Sequence, residues 1–302
     1  MTISEAYPQY LIYAEADKRY AAETLVKIKD CFKYWILPRL GSLELKSLRQ
    51  LNVMNFKQTM TQAGLGVARQ YSILITLRHL LKFSRLILEI PTLDPTTIAL
   101  PRRERRSVEY LTNPEIEQIR GTIDTFTMNG IRLRTLFEVL LSSGMRISEG
   151  LSLNRDSIDF NTYEAQIIGK GKRPRTVFFS EEAIQWVIRY LARRKDQEHA
   201  LFVTTGDPPR RWRRGDIPDY FKAVQKQAEI KKRFTPHLLR HTFCTNLLHN
   251  GADITFIKEL AGHQDIQTTA RYYLGVDKKA LKSVLARFQS FSVKPKAQDL
   301  NQ

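Results

Sequence analysis

The sequence predicts a mainly α-helical protein of two domains, with one small antiparallel β-sheet in the second. Three observations carry that prediction. Apolar residues recur at three- and four-residue spacing through most of the chain. Short alternating or apolar runs separated by turn residues occur once, between about residues 157 and 179. The stretch Pro91–Ser107 (PTLDPTTIALPRRERRS) holds three prolines and an arginine run, which break any helix and resist burial. The domains are therefore expected at 1–100 and 108–289, with a basic linker at 101–107 and a loose tail at 290–302.

In the first domain a short helix is expected near Tyr7–Ala16. Leu25, Ile28, Phe32, Trp35 and Ile36 mark the next, which Pro38 and Gly41 should end. Leu51, Val53, Phe56 and Met60 mark a third helix, stopped by Gly64-Leu65-Gly66. Ile73, Leu77, Leu80, Leu81 and Leu88 mark a fourth. The GLGVAR run at 64–69 is no dinucleotide fingerprint, because no strand precedes it and the third glycine is missing.

The second domain opens on Thr112-Asn113-Pro114-Glu115, a helix start with Pro in the first turn and Glu close behind. Leu136, Val139, Leu140 and Leu141 continue a buried helix to Gly144. Ser157–Phe160, Ala165–Ile168 and Thr176–Phe179 read as three antiparallel strands, with Gly169-Lys170-Gly171-Lys172 as the last turn. Helices resume at about 181–195, 216–229, 236–250 and 254–261. A final amphipathic helix is expected after Asp277, with Leu281, Val284, Leu285 and Phe288 on one face.

The composition agrees with a folded, non-membrane chain. Of 302 residues, 42% are hydrophobic and 26% charged, which excludes a disordered chain, a collagen-like fibre and a coiled-coil rod. Two cysteines about two hundred residues apart exclude a disulfide scaffold or zinc ribbon, and a reducing cytosol fits. No secretory signal and no long apolar span is visible, so the expected location is cytoplasmic, associated with the nucleoid. Forty-eight Lys+Arg against 31 Asp+Glu leave a net charge of +17, divided as +5 over 1–100, +3 over 101–107 and +9 over 108–302. A polyanion is the default partner for such an excess, and its spread over both domains suggests a clamp on a duplex. A solvated basic surface is the plainer alternative.

Five elements bear on chemistry, and each has two readings. Arg146, directly after the Gly144 helix end, is either a guanidinium aimed at a phosphate with Glu149 orienting it, or a surface i,i+3 pair. Lys170 on the glycine-flanked turn is either a proton donor reaching a groove or a solvated basic residue, with Lys172 a lesser rival. His237 and Arg240 in PHLLRH share a helix face near an N-terminus and suit an anion, or else His237 and His241 are capping or core histidines. Zinc on the latter pair is disfavoured, because no HExxH glutamate and no third ligand accompany them. His263 in LAGH either meets a ligand or caps a helix end. Tyr272 and Tyr273 are either a nucleophile, activated from a free pKa of ~10 by nearby cations, or core aromatics. No carboxylate cluster suited to two magnesium ions is evident.

Taken in order, SSGMRISEG, IIGKGKRPRTV, HLLRHTF and LAGHQDIQTTARYY resemble the tyrosine recombinase (phage integrase) family, specifically its short Xer-like members. The resemblance spans about Leu111 to Phe288 and, more loosely, the helical first domain. It implies a core-site DNA-binding domain followed by a tyrosine-recombinase catalytic domain. It implies that Arg146 and Arg240 hold the scissile phosphate and that Lys170 protonates the leaving 5′-oxygen. His237 would act as general acid/base, His263 would hydrogen-bond a non-bridging oxygen, and Tyr272 would attack to form a 3′-phosphotyrosyl link. Tyr272, nine residues after His263, has the family spacing and is preferred to Tyr273. Neither metal nor cofactor is implied. The expected partner is double-stranded DNA, bound by a homo-tetramer on synapsed sites, with a paralogous recombinase as a possible companion, and strands exchanged through a Holliday junction. The final helix would dock on a neighbouring subunit. Two departures, Gly150 for a larger apolar residue and Leu238 for a polar one, touch no implied catalytic position. A type IB topoisomerase-like relaxing enzyme, or an inactive DNA-binding protein, are the alternatives. The short first domain argues against an extra arm-site-binding module.

Overall fold

The computed structural model describes residues 1–16, 20, 22–102, 108–169, 174–263, 265, 269 and 270. Lys170, Lys172, Tyr272, Tyr273, the arginines at 103, 105 and 106, the helix expected after Asp277 and the 290–302 tail lie outside the described residues. The chain divides into two compact units, Met1–Arg105 and Arg106–Gln302. Among the described residues the fold is mostly helical with one three-stranded sheet, and no helix is long and apolar enough to cross a membrane.

The first unit is all-helical. Helix α1 (Ile3–Ala16) begins four residues earlier than the apolar pattern suggests. The reason is a capping box: Glu5 Oε2 accepts from the Thr2 N–H at 2.8 Å, and Thr2 Oγ1 accepts from the Glu5 N–H at 3.2 Å. Helix α2 (Ala22–Cys31) does not end at Pro38. It passes into a π-helical turn, Phe32–Ile36, and on to α3 (Leu37–Leu40), with Pro38 in the first turn of α3. Pro38 has no N–H for the carbonyl four residues back, that of Tyr34. The widened turn, closed by the Leu37 N–H on the Phe32 carbonyl, accommodates the ring. Arg39 Nη1 then donates to the freed Tyr34 carbonyl at 3.0 Å. Gly41 alone ends the helix. Helices α4 (Gln50–Gln62) and α5 (Val67–Leu86) complete the unit, whose core gathers Phe32, Leu45, Leu48, Met60, Leu77 and Leu80.

The second unit is built on helix α7 (Met128–Ser143), which is buried without a break from Ile131 to Leu140. A helix buried all round needs partners on every face. Here α9 (Glu181–Arg193) and α11 (Pro236–His249) flank it. Helix α6 (Asn113–Thr122) starts as its sequence promises, with Thr112 Oγ1 and Glu115 capping each other. Arg120 of α6 joins α7 through Glu138, whose carboxylate also takes Arg134 at 2.7 Å. The short α8 (Ile147–Ser152) leads into strands β1 (Ile158–Asp159), β2 (Glu164–Ile168) and β3 (Pro174–Phe178). They pair in that order, antiparallel, with Ala165 opposite Val177 and Ile167 opposite Arg175. Ala165, Ile167 and Val177 face the core, and the register fixes which residues of β3 look the other way. Helices α10 (Ile217–Gln227) and α12 (Ile254–Ala261) finish the described elements. Cys244 and Leu248 of α11 pack on Ile257 and Ala261 of α12, which seats α12 beside α11.

Candidate active site

The site begins with two helix ends. Helix α7 stops at Gly144, which adopts φ +61°, a left-handed cap open to glycine without penalty. Space also demands glycine there, since a β-carbon would lie 2.2 Å from the Phe243 ring. Helix α12 stops in the same manner at Gly262, φ +64°. Each end leaves backbone carbonyls without helical partners, carrying the negative pole of the helix.

Arginines fill those positions. Arg146 follows the α7 cap, and its own N–H donates to Glu149 Oε2 at 2.9 Å, starting α8. Its Nη1 donates to Glu149 Oε1 at 2.9 Å, and its Nη2 reaches the Gly262 carbonyl at 3.0 Å. Arg240, the fifth residue of α11, is 2% exposed. Its Nη1 donates to the Gly144 carbonyl at 2.7 Å and its Nη2 to the Ala261 carbonyl. Arg175, on β3, donates Nη1 to the Leu260 carbonyl at 2.6 Å and Nη2 to Glu149 Oε2 at 2.9 Å. The last three carbonyls of the α12 end, at 260, 261 and 262, are thus each held by a different guanidinium. Arg146 and Arg240 grip adjacent carbonyls of one turn.

The histidines belong to the same cluster. His263 follows Gly262 at once and is buried; its Nδ1 lies 2.9 Å from Thr269 Oγ1. Burial first, then the charges of Arg240 and Arg146, push its pKa down to about 3. His237 sits at the exposed rim, its ring 4.1 Å from that of His241. Desolvation, then Arg240 and Arg146, hold His237 below the usual imidazole range. His241 is lowered to about 4, by desolvation first and then by His237. Both His237 and His263 are therefore neutral near pH 7 and able to accept a proton or a hydrogen bond. Arg240 is itself lowered to about 10, by burial and then by the Arg146 charge. Glu149 resists its own burial: the Arg146 N–H and the guanidiniums of Arg175 and Arg146 keep its carboxyl below the ordinary value.

Four of the six residues singled out in the sequence, Arg146, His237, Arg240 and His263, are thus placed around one helix end. Lys170 lies in the β2–β3 connection and Tyr272 three residues past Thr269, both outside the described residues. The arrangement offers planar donors and neutral imidazoles in one cationic cluster, which suits a phosphate diester. Sequence reasoning missed Arg175. It stands inside the quoted run IIGKGKRPRTV, but nothing local distinguishes it from the other basic residues there, because its partners lie 26 and 85 positions away. The basic run Arg210–Arg214 divides. Arg211 donates to the carbonyls of Leu151 and Leu153 at 2.9 and 3.0 Å, and Trp212 is buried under the Arg132 guanidinium, so these two serve the fold. Arg210, Arg213 and Arg214 stay exposed.

A model of the phage integrase family matches residues 109–279. The tyrosine recombinase XerD of Lacticaseibacillus casei is 30% identical over 275 residues, covering 87% of this chain and 91% of that protein. XerD of Listeria monocytogenes serotype 4b (strain F2365) is 27% identical over 297 residues, covering 95% of this chain and 99% of that one. Among solved structures, the Tn1549 transposon integrase (residues 82–397), in complex with circular intermediate DNA, has the same fold, with a TM-score of 0.76 at 20% identity and coverage of 94% and 99%.

Proposed function

The chain belongs to the phage integrase family and is a site-specific tyrosine recombinase, and we propose on that footing how its own residues divide the reaction. The substrate is double-stranded DNA. Arg146 and Arg240 bind the non-bridging oxygens of the scissile phosphate and stabilise the five-coordinate transition state, each charge-assisted bond being worth roughly 1.5–3 kcal/mol. The Tyr272 oxygen attacks phosphorus while its proton passes to neutral His237. The bond to the 5′-oxygen breaks, and that oxygen takes a proton from Lys170. The 3′-phosphotyrosyl link conserves the energy of the broken bond, so rejoining by a 5′-hydroxyl needs no nucleotide triphosphate. His263 adds a hydrogen bond to a non-bridging oxygen.

What supports this division is one observation: Arg146 and Arg240 donate to the neighbouring carbonyls of Gly262 and Ala261, with His263 next in the chain. A guanidinium has five N–H donors, so each arginine so anchored keeps N–H groups for a ligand. Residues 1–100 would bind the core site, residues 108–289 would cut it, and four copies would act on two synapsed sites in the cytoplasm through a Holliday junction, alone or with a paralogous recombinase.

A nicked duplex that loses the short strand after cleavage tests the assignment. The wild-type protein should accumulate a covalent adduct, Tyr272→Phe none, and Tyr273→Phe a normal amount. An adduct that survives Tyr272→Phe and disappears in Tyr273→Phe would overturn the choice of nucleophile.

A further inference from the structure

We propose that Arg175 is a positioning residue for Arg146: by occupying one oxygen of Glu149 and one carbonyl of the α12 end, it keeps Arg146 from closing as a two-point pair on Glu149 and so leaves that guanidinium available to the scissile phosphate. The inference rests on the reading of Arg146 as a ligand of that phosphate.

The argument starts from how Glu149 is shared. An arginine beside a carboxylate tends to pair through two parallel bonds, one to each oxygen. Arg146 does not reach that arrangement. Its Nη1 donates to Glu149 Oε1 at 2.9 Å, while its Nη2 turns to the Gly262 carbonyl at 3.0 Å. The other oxygen, Oε2, is already taken by Arg175 Nη2 at 2.9 Å and by the Arg146 backbone N–H at 2.9 Å. A carboxylate divided between two guanidiniums neutralises neither of them fully. The exposures agree with the division of labour. The Glu149 and Arg175 side chains are 5% and 14% exposed, whereas that of Arg146 is 31% exposed, so Arg146 is the member of the trio that solvent, and hence a ligand, can reach.

Arg175 also steadies the second group that Arg146 touches. Its Nη1 donates to the Leu260 carbonyl at 2.6 Å, two residues before the Gly262 carbonyl that Arg146 takes. Glu149 and the α12 end, the two partners of the Arg146 side chain, are therefore bridged by one other side chain, carried in from strand β3 opposite Ile167. The α12 cap is closed down on it: a β-carbon at Gly262 would stand 2.6 Å from Arg175 Nε, so Gly262 is required by space as well as by its φ of +64°. Arg175 is held there at a cost, since its Nε is buried without a hydrogen-bond partner. A lysine could not replace it, because a single ammonium cannot reach a carbonyl and a carboxylate in the fixed fork of a guanidinium.

The experiment separates misdirection of Arg146 from general loss of structure. Nicked duplexes are prepared with the ordinary scissile phosphate and with a methylphosphonate there, in which a methyl group replaces one non-bridging oxygen and removes the negative charge. A defect in answering that charge is relieved on the second substrate; a damaged fold is not. Arg175→Ala and Arg175→Lys should cleave the phosphate substrate roughly 10²-fold more slowly than wild type. On the methylphosphonate both should return to within a few-fold of wild type. Adding Arg175→Ala to Arg146→Ala should slow phosphate cleavage no further, because the strut acts through Arg146. Melting temperature and duplex binding verify that each variant is folded. Arg175 variants that are equally slow on both substrates, or unimpaired on both, would overturn the proposal, as would additive losses in the double variant. Arg146→Ala alone is run in parallel: if the methylphosphonate fails to relieve it, the reading of Arg146 as the phosphate ligand falls, whereas relief of Arg146→Ala without relief of the Arg175 variants refutes the strut alone. Should Arg175→Ala prove unfolded, the lysine variant still decides the matter.

Discussion

Arg240→Met should abolish cleavage while leaving the catalytic unit nearly as stable as before. The arginine is 2% exposed and held at about 10, well below the ordinary guanidinium value. At about 1.36 kcal/mol per pKa unit, the folded protein disfavours its charge by roughly 3 kcal/mol. Against that stand two charge-assisted bonds, to the carbonyls of Gly144 and Ala261, worth roughly 1.5–3 kcal/mol each. The two sums nearly cancel, so removal costs between about 0 and 3 kcal/mol, less than the roughly 3–5 kcal/mol typical of breaking a buried ion pair. The sign with pH is fixed: a base whose folded pKa is depressed carries its full penalty at every pH below about 10, neutrality included. Urea unfolding of wild type and variant at pH 7 without DNA gives the first number, and adduct formation on a nicked duplex gives the second. Cleavage should fall by at least about 10²-fold, as for loss of one preorganised oxyanion donor. A loss of more than about 5 kcal/mol in urea would refute the reasoning, because it would mean that Arg240 is retained for stability and not for its ligand.

Two more outcomes follow from the same cluster. His263 and His241, held at about 3 and about 4, bind protons more weakly folded than unfolded, so they contribute stability that is complete above about pH 6.5 and is lost as pH falls toward those values. Each should steepen acid destabilisation by roughly 1 kcal/mol per pH unit between pH 6.5 and 4, and His263→Asn should flatten a series of urea midpoints across that range; an unchanged slope would remove His263 from the account. Gly144→Ala forces a β-carbon to within 2.2 Å of the Phe243 ring at a φ of +61°, and should cost about 2–4 kcal/mol by urea unfolding while misplacing Arg146, so that adduct formation drops with it. A cost below about 1 kcal/mol would show that the ring moves aside freely.

What the sequence disclosed, and what it hid, divides along chain distance. Thr112, Pro114 and Glu115 announce α6 because a capping box is complete within four residues. Gly144 and Gly262 announce helix ends because the left-handed cap needs nothing distant to be favourable. The strands were found but misjudged by a residue or more, since Ile158–Asp159 pairs briefly and β3 begins at Pro174. Pro38 misled because its remedy, the Arg39 side chain on the Tyr34 carbonyl, is a contact and not a composition. At the site, all six residues came from ordered motifs joined by a family resemblance, and four of them lie among the described residues. Arg175 could not be found that way. Neither could the structural employment of Arg211 and Trp212, since a guanidinium reads alike in sequence whether it meets solvent or a carbonyl some sixty residues off.

The way the α12 end restrains its arginines has an electrical consequence. Peptide oxygens carry only partial charge, so they steer a guanidinium without discharging it. Among the described residues, the carboxylate of Glu149 pairs with both Arg146 and Arg175 at that turn. Direction is set in large part by peptide oxygens that leave the guanidinium charge in place, so the field stands ready before any DNA arrives and little has to reorganise when a phosphate enters it.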